Sequence, residues 1–203
     1  MKVSLDENTD QFQEEPFIWK RNLWMVVRPI VVVTTISKKG IPNAALISNF
    51  MNVSVLQKIA FGCHPSHDTY RNILETKEFV VNVPIERIIE QIMVTGVNFP
   101  PEVNELEKAK LTPLPSVAVN PPRIQECKVH FECKLDWYRD TIIVGKVLDT
   151  SVDEELIHCN VKERQEKLEQ IFLVGARMYG KIGEIKELPL EILRKYQKDL
   201  STE

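Results

Sequence analysis

Short runs of apolar residues, many of them β-branched or aromatic, recur along the chain and are separated by turn residues. Runs of this length and type predict buried β-strands, because branched and aromatic side chains pack well on a pleated surface. Gly40 lies in the loop of a first predicted hairpin, and residues 138–140 join the last two strands into a second. The predicted strands are 30–36, 43–50, 58–63, 78–83, 127–137 and 141–150.

Helical spacing of apolar residues is confined to short segments. It predicts a helix over 68–76, capped by Ser66 or Asp68, and a shorter helix over 86–93. Residues 95–122 are rich in proline and predict an extended excursion around a charged helical patch at 103–109, which is typical of a lid or a partner contact. Weaker patterns predict a short helix or loop at 17–27, a solvated helix or loop at 153–170, and a packing helix at 189–200.

The balance of these elements decides the fold class. At least six strands at hairpin spacing, with few helices, predict a mainly β protein, a barrel with peripheral helices. Residues 1–15 are polar and acidic and predict a flexible N-terminal arm, so 16–203 is expected to be a single domain. A chain of 203 residues can bury a sufficient core without disulfides or metals.

Charge and targeting signals narrow the classes of partner and compartment. Lys and Arg total 26 against 29 Asp and Glu, a net charge of −3, and no basic stripe is present to neutralise phosphates. We therefore expect no nucleic-acid partner. The N-terminus has no apolar signal segment, and the apolar runs are too short to span a bilayer. We expect a cytoplasmic protein with no membrane partner.

Glycine and cysteine patterns exclude the commonest nucleotide and metal sites. The 7 glycines form neither G-x-G-x-x-G nor a P-loop. No C-x-x-C pair occurs, and strand alternation places Cys127 and Cys133 on the face opposite His130. Both cysteines are expected to be buried, reduced packing residues, and no metal is expected. The remaining Cys–His neighbours are interpreted as coincidence: Cys63-His64 and His158-Cys159.

A series of collinear motifs spans roughly residues 25–185. The motifs are RPIVVVTT (28–35), GIPNAA (40–45), Ser48, Phe50, HDTYRNI (67–73), EFVVNVP (78–84), Thr95-Gly96, LTP (111–113), PRI (122–124), Glu126, Glu132-Cys133, GKV (145–147) and MYGKIG (178–183). In this order they resemble the flavin reductase-like family of FMN-binding split barrels, in particular its flavoredoxin-type members.

The resemblance implies a homodimer of Greek-key split barrels with FMN near the dimer interface. It further implies NADH or NADPH as electron donor and a flavin or another small redox acceptor, and thus an NAD(P)H-dependent flavin reductase. Two alternatives stay open: a non-catalytic FMN electron carrier serving a protein partner, and an FMN-free module on the same fold. Because hydride chemistry belongs to the flavin and no nucleophile motif occurs, no catalytic residue is assigned.

Within this resemblance, the start of the 68–76 helix is the candidate phosphate site. Free amides and the helix dipole attract anions there, and Ser66, His67, Thr69 and Arg71 add polar groups and a positive charge. The alternative is structural, with Ser66 as a cap and Arg71 as a solvated residue. Asp68 has to point away from the anion or pair with Arg71.

The strand over 43–50 is the candidate site for the flavin ring. Its backbone groups and two polar side chains can reach the pyrimidine edge of the ring, and its alanines allow close approach. Tyr179 or Trp137 can cover a face of the ring, although core or interface packing is the alternative for each. The residues proposed on this strand are Asn43, Ala44, Ala45, Ser48, Asn49 and Phe50.

Overall fold

The structure is a computed structural model that describes residues 27–54, 57–175 and 178–191. Its main feature is one curled antiparallel sheet, formed by β2 (Val31–Ile36), β3 (Pro42–Ile47), β4 (Phe50–Ser54), β5 (Lys58–Gly62), β6 (Glu78–Val83), β9 (Val129–Arg139) and β10 (Ile142–Val152). The order across the sheet is β3-β2-β6-β9-β10-β5-β4. The mainly β split-barrel fold expected from the sequence is confirmed.

Smaller sheets and short helices complete the structure. The remaining strands are β1 (Arg28–Pro29), β7 (Pro113–Leu114), β8 (Arg123–Ile124), β11 (Ile171–Val174) and β12 (Met178–Lys181). Three of them form a sheet in the order β1-β11-β12, and β7 pairs with β8. The helices are α1 (Asp68–Thr76), α2 (Ile89–Val94), α3 (Glu105–Ala109) and α4 (Val161–Leu168), with 3₁₀ turns at Glu86–Ile88 and Glu154–Leu156.

Strand β2 lies between two apolar clusters, which explains its continuous β-branched run. Val31 and Val33 face a cluster that includes Ile73 of α1, whereas Val32 faces a second cluster that includes Ile92 of α2 and Leu106 of α3. A strand covered on both faces needs apolar side chains at successive positions rather than at alternate ones. This double cover fixes α1 and α3 on opposite faces of the sheet close to β3.

The single strand predicted over 43–50 is wrong. The chain leaves β3 after Ile47 and re-enters the sheet as β4 at Phe50, and these two strands lie at opposite edges of the seven-stranded sheet. Ser48 and Asn49 form the link between them. Curling of the sheet allows a two-residue link to join its two edges, and it leaves the link beside an open cleft.

The other predicted elements agree with the structure more closely. The helix over 68–76 has the predicted bounds, the 86–93 helix is a 3₁₀ turn followed by α2, and the hairpin is formed by β9 and β10. Cys127 and Cys133 are buried free thiols, as predicted. The strands β1, β7, β8, β11 and β12 were missed because each has at most four residues. The predicted arm (1–15), the 17–26 segment and most of the 189–200 helix lie outside the described residues.

The proline-rich excursion divides into two parts. Its first part, through Pro101 and Glu105, lines clefts beside β3. Its second part is anchored on the sheet, because Glu132 accepts hydrogen bonds from the amides of Val117 and Ala118. Of these two parts, the first is therefore the one placed to contact a ligand bound in the clefts beside β3. In the described part of the chain, none of the helices is long and apolar enough to cross a membrane.

Candidate functional site

A cleft of about 280 Å³ opens at the start of α1; we call it the helix cleft. One wall is formed by β3, a second by the start of α1, and a third by the loop that follows α2. The small side chains of Ala44 and Ala45 keep the β3 wall low. The lining residues are Asn43, Ala44, Ala45, Ser66, His67, Asp68, Thr69, Arg71, Thr95, Val97, Asn98, Phe99, Pro101 and Glu105.

The start of α1 presents free backbone amides. The N-cap is His67, whose side chain makes no capping bond, and the first bond of the helix runs from Arg71 N to His67 O at 3.2 Å. The amides of Asp68, Thr69 and Tyr70 precede that bond and have no acceptor within the helix. A helix start left uncapped by side chains keeps its donors available for an anion.

The predicted cap by Ser66 or Asp68 is wrong. The Ser66 hydroxyl lies 2.7 Å from His64 Nδ1, and the Ser66 amide donates to the same nitrogen at 3.2 Å. Because that nitrogen accepts from the amide, the serine hydroxyl is its second donor. His64 thus shapes the loop before α1 and takes Ser66 away from the helix end.

Arg71 is the cation of the helix cleft, and it pairs with Asp68 one helical turn earlier. Its guanidinium also donates to the carbonyl of Ser66. The side chains of Arg71 and Asp68 are 48% and 17% exposed. Of the two arrangements considered for Asp68, pairing with Arg71 is the one observed, so the arginine is held at the helix start with its charge partly compensated.

A buried hydrogen-bond network supports the floor of the helix cleft. Asn43 Oδ1 accepts from the hydroxyls of Thr69 at 2.8 Å and Thr35 at 3.1 Å. Asn72 Nδ2 donates to the Thr35 hydroxyl at 3.0 Å. With its oxygen occupied by two donors, Asn43 directs its NH₂ group to Glu105 Oε1, 2.9 Å away. The network fixes the orientation of the Asn43 amide and leaves the Thr69 hydroxyl turned inward.

Glu105 is the one acidic residue in this network, and it is only 4% exposed. Burial raises the pKa of its carboxyl, and the negative charge of Asp68 adds to the increase. Hydrogen bonds from Asn43 and from nearby peptide groups act in the opposite direction. Its second oxygen, Oε2, is buried and has no hydrogen-bond partner among the described residues.

A second cleft, of about 520 Å³, continues from the first; we call it the strand cleft. Ala45, His67, Thr95 and Asn98 line both clefts, so the two form one continuous depression along β3. The remaining residues of the strand cleft are Arg28, Leu46, Ile47, Ser48, Asn49, Gly62, Cys63, His64, Gly96 and Thr141.

Two groups in the strand cleft bear on its chemistry. Arg28 donates through Nη2 to the carbonyl of Gly175 at 3.0 Å, while its Nε is buried without a partner among the described residues. Cys63 is 4% exposed, and burial raises the pKa of its thiol to about 11. A protonated thiol is a poor nucleophile, so Cys63 contributes packing rather than covalent chemistry.

The clefts bring together most of the residues predicted from the sequence. Those in the depression are Asn43, Ala44, Ala45, Ser48, Asn49, Ser66, His67, Thr69 and Arg71. Phe50 instead packs against the apolar core, and Tyr179 is 44% exposed on β12, so neither lines these clefts. Their proposed roles at the ring stay predictions.

Other cleft residues were not predicted from the sequence. Arg28 lies beside a proline in a two-residue strand, and Glu105 follows the helix cap Asn104, where an exposed acidic residue is the usual expectation. Thr95 and Asn98 lie in a loop with no regular pattern. The described residues contain no cluster of His, Cys, Asp and Glu able to hold a metal ion.

Comparison with known proteins identifies the family. The profile of the flavin reductase like domain matches residues 25–167. The chain belongs to the flavin reductase-like family. A curated relative, an uncharacterized protein from Aquifex aeolicus, is 42% identical over 182 residues, which is 83% of this chain and 92% of the relative.

Solved structures support the same assignment of fold. Nitrilotriacetate monooxygenase component B from Bacillus cereus is 28% identical, with a TM-score of 0.78 over 93% of this chain and 98% of that protein. Flavoredoxin of Desulfovibrio vulgaris is 22% identical, with a TM-score of 0.74 over 81% and 92% of the two chains. At that identity, the likeness to flavoredoxin concerns the fold of this flavin reductase-like chain alone.

Proposed function

We propose that this chain binds FMN along the helix and strand clefts and acts as an NAD(P)H-dependent flavin oxidoreductase. One observation carries the proposal. The two buried side-chain polar atoms that lack a partner in the described part of the chain, Arg28 Nε and Glu105 Oε2, belong to residues that line this depression. Buried polar atoms are rarely left unpaired, so orphaned atoms beside a continuous cleft favour an absent polar ligand.

The helix cleft fits the phosphate end of such a ligand. A phosphate is a dianion with several acceptor oxygens, and the free amides of α1 and the guanidinium of Arg71 are donors of matching charge. The Asp68 carboxylate forms an ion pair with Arg71 and is therefore not an unpaired charge in the cleft. This pairing makes Asp68 repel the anion less than an unpaired carboxylate would, but Asp68 also competes with the anion for Arg71.

The strand cleft fits the ring end. Strand β3 is an edge strand, so peptide groups on its outer side are not used by the sheet. The amide of Leu46 bonds to Thr95 O at 3.3 Å and holds the loop after α2 against this edge. Ser48 and Asn49 offer polar side chains, while Ala45 leaves room for a flat group at the junction of the clefts.

The protein's part in the reaction is to bind and orient. When bound, FMN supplies the redox chemistry by accepting a hydride from a nicotinamide. The side chains of the depression hold the phosphate, position the polar edge of the ring and exclude water from one face. Hydride transfer needs no proton donor from the protein, and we assign no catalytic residue. We place the protein in the cytoplasm, where thiols such as the buried cysteines stay reduced.

Flavin titration of matched variants tests the binding site. Replacing Arg71 by Met removes the cation, and FMN affinity should fall by about tenfold or more, as expected for a lost charge-assisted hydrogen bond. Asp68→Asn removes the competing carboxylate and should strengthen FMN binding. Riboflavin, which lacks the phosphate, should respond to neither substitution. Equal responses of FMN and riboflavin would contradict a phosphate site at the helix start.

Steady-state kinetics test the activity. Oxidation of NADH or NADPH by the FMN-loaded protein, with free flavin as acceptor, is the expected result for a reductase. Reduction that proceeds only with a partner protein would instead identify an electron carrier. Absence of saturable FMN binding would leave the third interpretation, a module on the same fold that does not use FMN.

We also propose a homodimer, which an apolar row across the sheet supports. Met51, Ala60, Val144 and Trp137 are register partners across β4, β5, β10 and β9. Met51 and Trp137 remain 60% and 47% exposed. Light scattering should give twice the monomer mass, and Met51→Glu with Trp137→Glu should halve it. Val161→Glu, at an exposed apolar residue of α4, is the control, and a flavin-loaded wild-type monomer would contradict the dimer.

A further inference from the structure

Glu105 lies where three features meet. It lines the helix cleft and also a neighbouring cleft of about 330 Å³ beside the β2–β3 turn, which we call the turn cleft. Its side chain is buried, and it extends from α3 to accept a hydrogen bond from Asn43 in the polar network. A carboxyl in this position is close to any anion that binds at the start of α1, so its protonation state matters for that anion.

The hydrogen-bond directions determine where a proton on Glu105 must reside. Asn43 Oδ1 already accepts from Thr69 and Thr35, so the group that Asn43 presents to Glu105 is its NH₂. Glu105 Oε1 is therefore an acceptor, and a carbonyl oxygen accepts this bond better than a hydroxyl oxygen does. The proton of a neutral Glu105 belongs on Oε2, the oxygen without a partner among the described residues.

We propose that Glu105 is a positioning residue that holds a proton on Oε2 while FMN is bound, so that the phosphate shares the helix cleft with a neutral carboxyl. This inference rests on the proposed function. A second negative charge in the same low-dielectric region would repel the phosphate, and protonation removes that repulsion. FMN binding then takes up a proton at Glu105 and weakens as the pH rises.

Other charged groups line the two clefts around Glu105, and they too act on its protonation when FMN binds. In the helix cleft it faces Asp68, Arg71 and His67 from the start of α1. Across the turn cleft it faces Lys38, Lys39, Glu75 and Glu102. Acidic and basic groups occur on both sides, whereas burial acts in one direction and raises the pKa of Glu105. A bound dianion adds a further raising effect on the same carboxyl.

Glu105→Gln separates this role from a structural one. The glutamine carbonyl can accept from Asn43 while its NH₂ occupies the place of the protonated Oε2, so the variant reproduces the neutral carboxyl at every pH. Glu102→Gln is the matched control, because Glu102 is an exposed acidic residue of the turn cleft and makes no contact with the Asn43 network.

The experiment is FMN titration by flavin fluorescence between about pH 6 and pH 9, a range in which the phosphate loses its last proton early and is otherwise a dianion. Between these pH limits, we expect the FMN affinity of the wild type to fall by about tenfold more than that of Glu105→Gln. Each unit by which bound FMN raises the pKa of Glu105 corresponds to a factor of ten in affinity. Glu102→Gln should follow the wild type. Calorimetry in buffers of different ionisation enthalpy should show proton uptake for the wild type and less for Glu105→Gln.

The outcomes are distinguishable. Parallel pH profiles for wild type and Glu105→Gln, with FMN still bound, would overturn the role of Glu105 and leave the proposed function intact. The phosphate and the other cleft residues are the same in both experiments, so they cannot produce a difference between the two proteins. Failure of both proteins to bind FMN at any pH would overturn the proposed function and this inference with it.

Discussion

Two buried glutamates, Glu132 on β9 and Glu105 at the start of α3, differ in how their carboxyl oxygens are hydrogen-bonded. Glu132 is fully buried, accepts from the amides of Val117 and Ala118, and has Arg123 Nε at 3.5 Å. Glu105 is also buried; Asn43 donates to its Oε1 at 2.9 Å, but its Oε2 has no hydrogen-bond partner among the described residues. The first carboxylate is satisfied by its own chain, and the second is not.

The difference separates the structural role of Glu132 from the binding role that we propose for Glu105. A buried charge is tolerated when donors and an opposite charge surround it, and Glu132 meets both conditions. Its donors come from the proline-rich segment, so the carboxylate fastens that segment to β9. Among the described residues, Glu105 has no ion-pair partner and its Oε2 has no donor, and it borders open clefts. We therefore expect changes at Glu132 to affect stability most, and changes at Glu105 to affect binding.

The largest expected effect is the loss of Glu132. Glu132→Ala removes the acceptor of the Val117 and Ala118 amides and the carboxylate partner of Arg123, and we expect the free energy of unfolding to fall by about 3–5 kcal/mol in urea titration. Glu126→Ala is the control, because Glu126 accepts from a single amide, Thr112 N at 3.1 Å, near the surface. A loss no greater than that of the control would contradict the anchoring role of Glu132.

A smaller effect is expected at His130, in the same anchored region. Arg123 donates to Ser151 Oγ at 2.8 Å, Ser151 lies 3.5 Å from His130 Nδ1, and His130 Nε2 lies 2.8 Å from Ile124 O. Because the Ile124 carbonyl can only accept, His130 carries a proton on Nε2, and in the neutral ring Nδ1 can accept from the Ser151 hydroxyl. Burial lowers the pKa of His130, and the positive charge of Arg123 contributes to the decrease.

This arrangement predicts loss of stability in acid. A histidine whose pKa is lower in the folded state contributes stability above its unfolded pKa, about 6.5, and that contribution is lost as the pH falls towards the folded value. His130→Gln keeps a donor for Ile124 O and does not titrate. We expect it to be about 1–2 kcal/mol less stable than wild type near neutral pH, with the gap closing in acid. A gap independent of pH in thermal unfolding would contradict this.

The sequence indicated the fold and the start of α1, the candidate phosphate site, because those features depend on local pattern. The β-branched run of β2 and the apolar stripe of α1 are dictated by their own residues. The break at Ser48 and Asn49 could not be predicted, because it follows from the curl of the whole sheet. Glu105 could not be predicted either, since an acidic residue at the start of a short helix has the same local pattern whether it is exposed or buried.

The smallest effect is expected for Glu105→Gln without ligand. The pKa of Glu105 is raised in the folded state, so its favourable contribution is complete below the unfolded pKa, about 4.3, and is lost as the pH rises through the folded value. Glutamine does not incur this loss. We expect the variant to match wild type in acid and to exceed it in alkali by about 1 kcal/mol or less, measured by urea titration. A variant that is less stable than wild type in alkali would show that Glu105, like Glu132, is held as a satisfied anion.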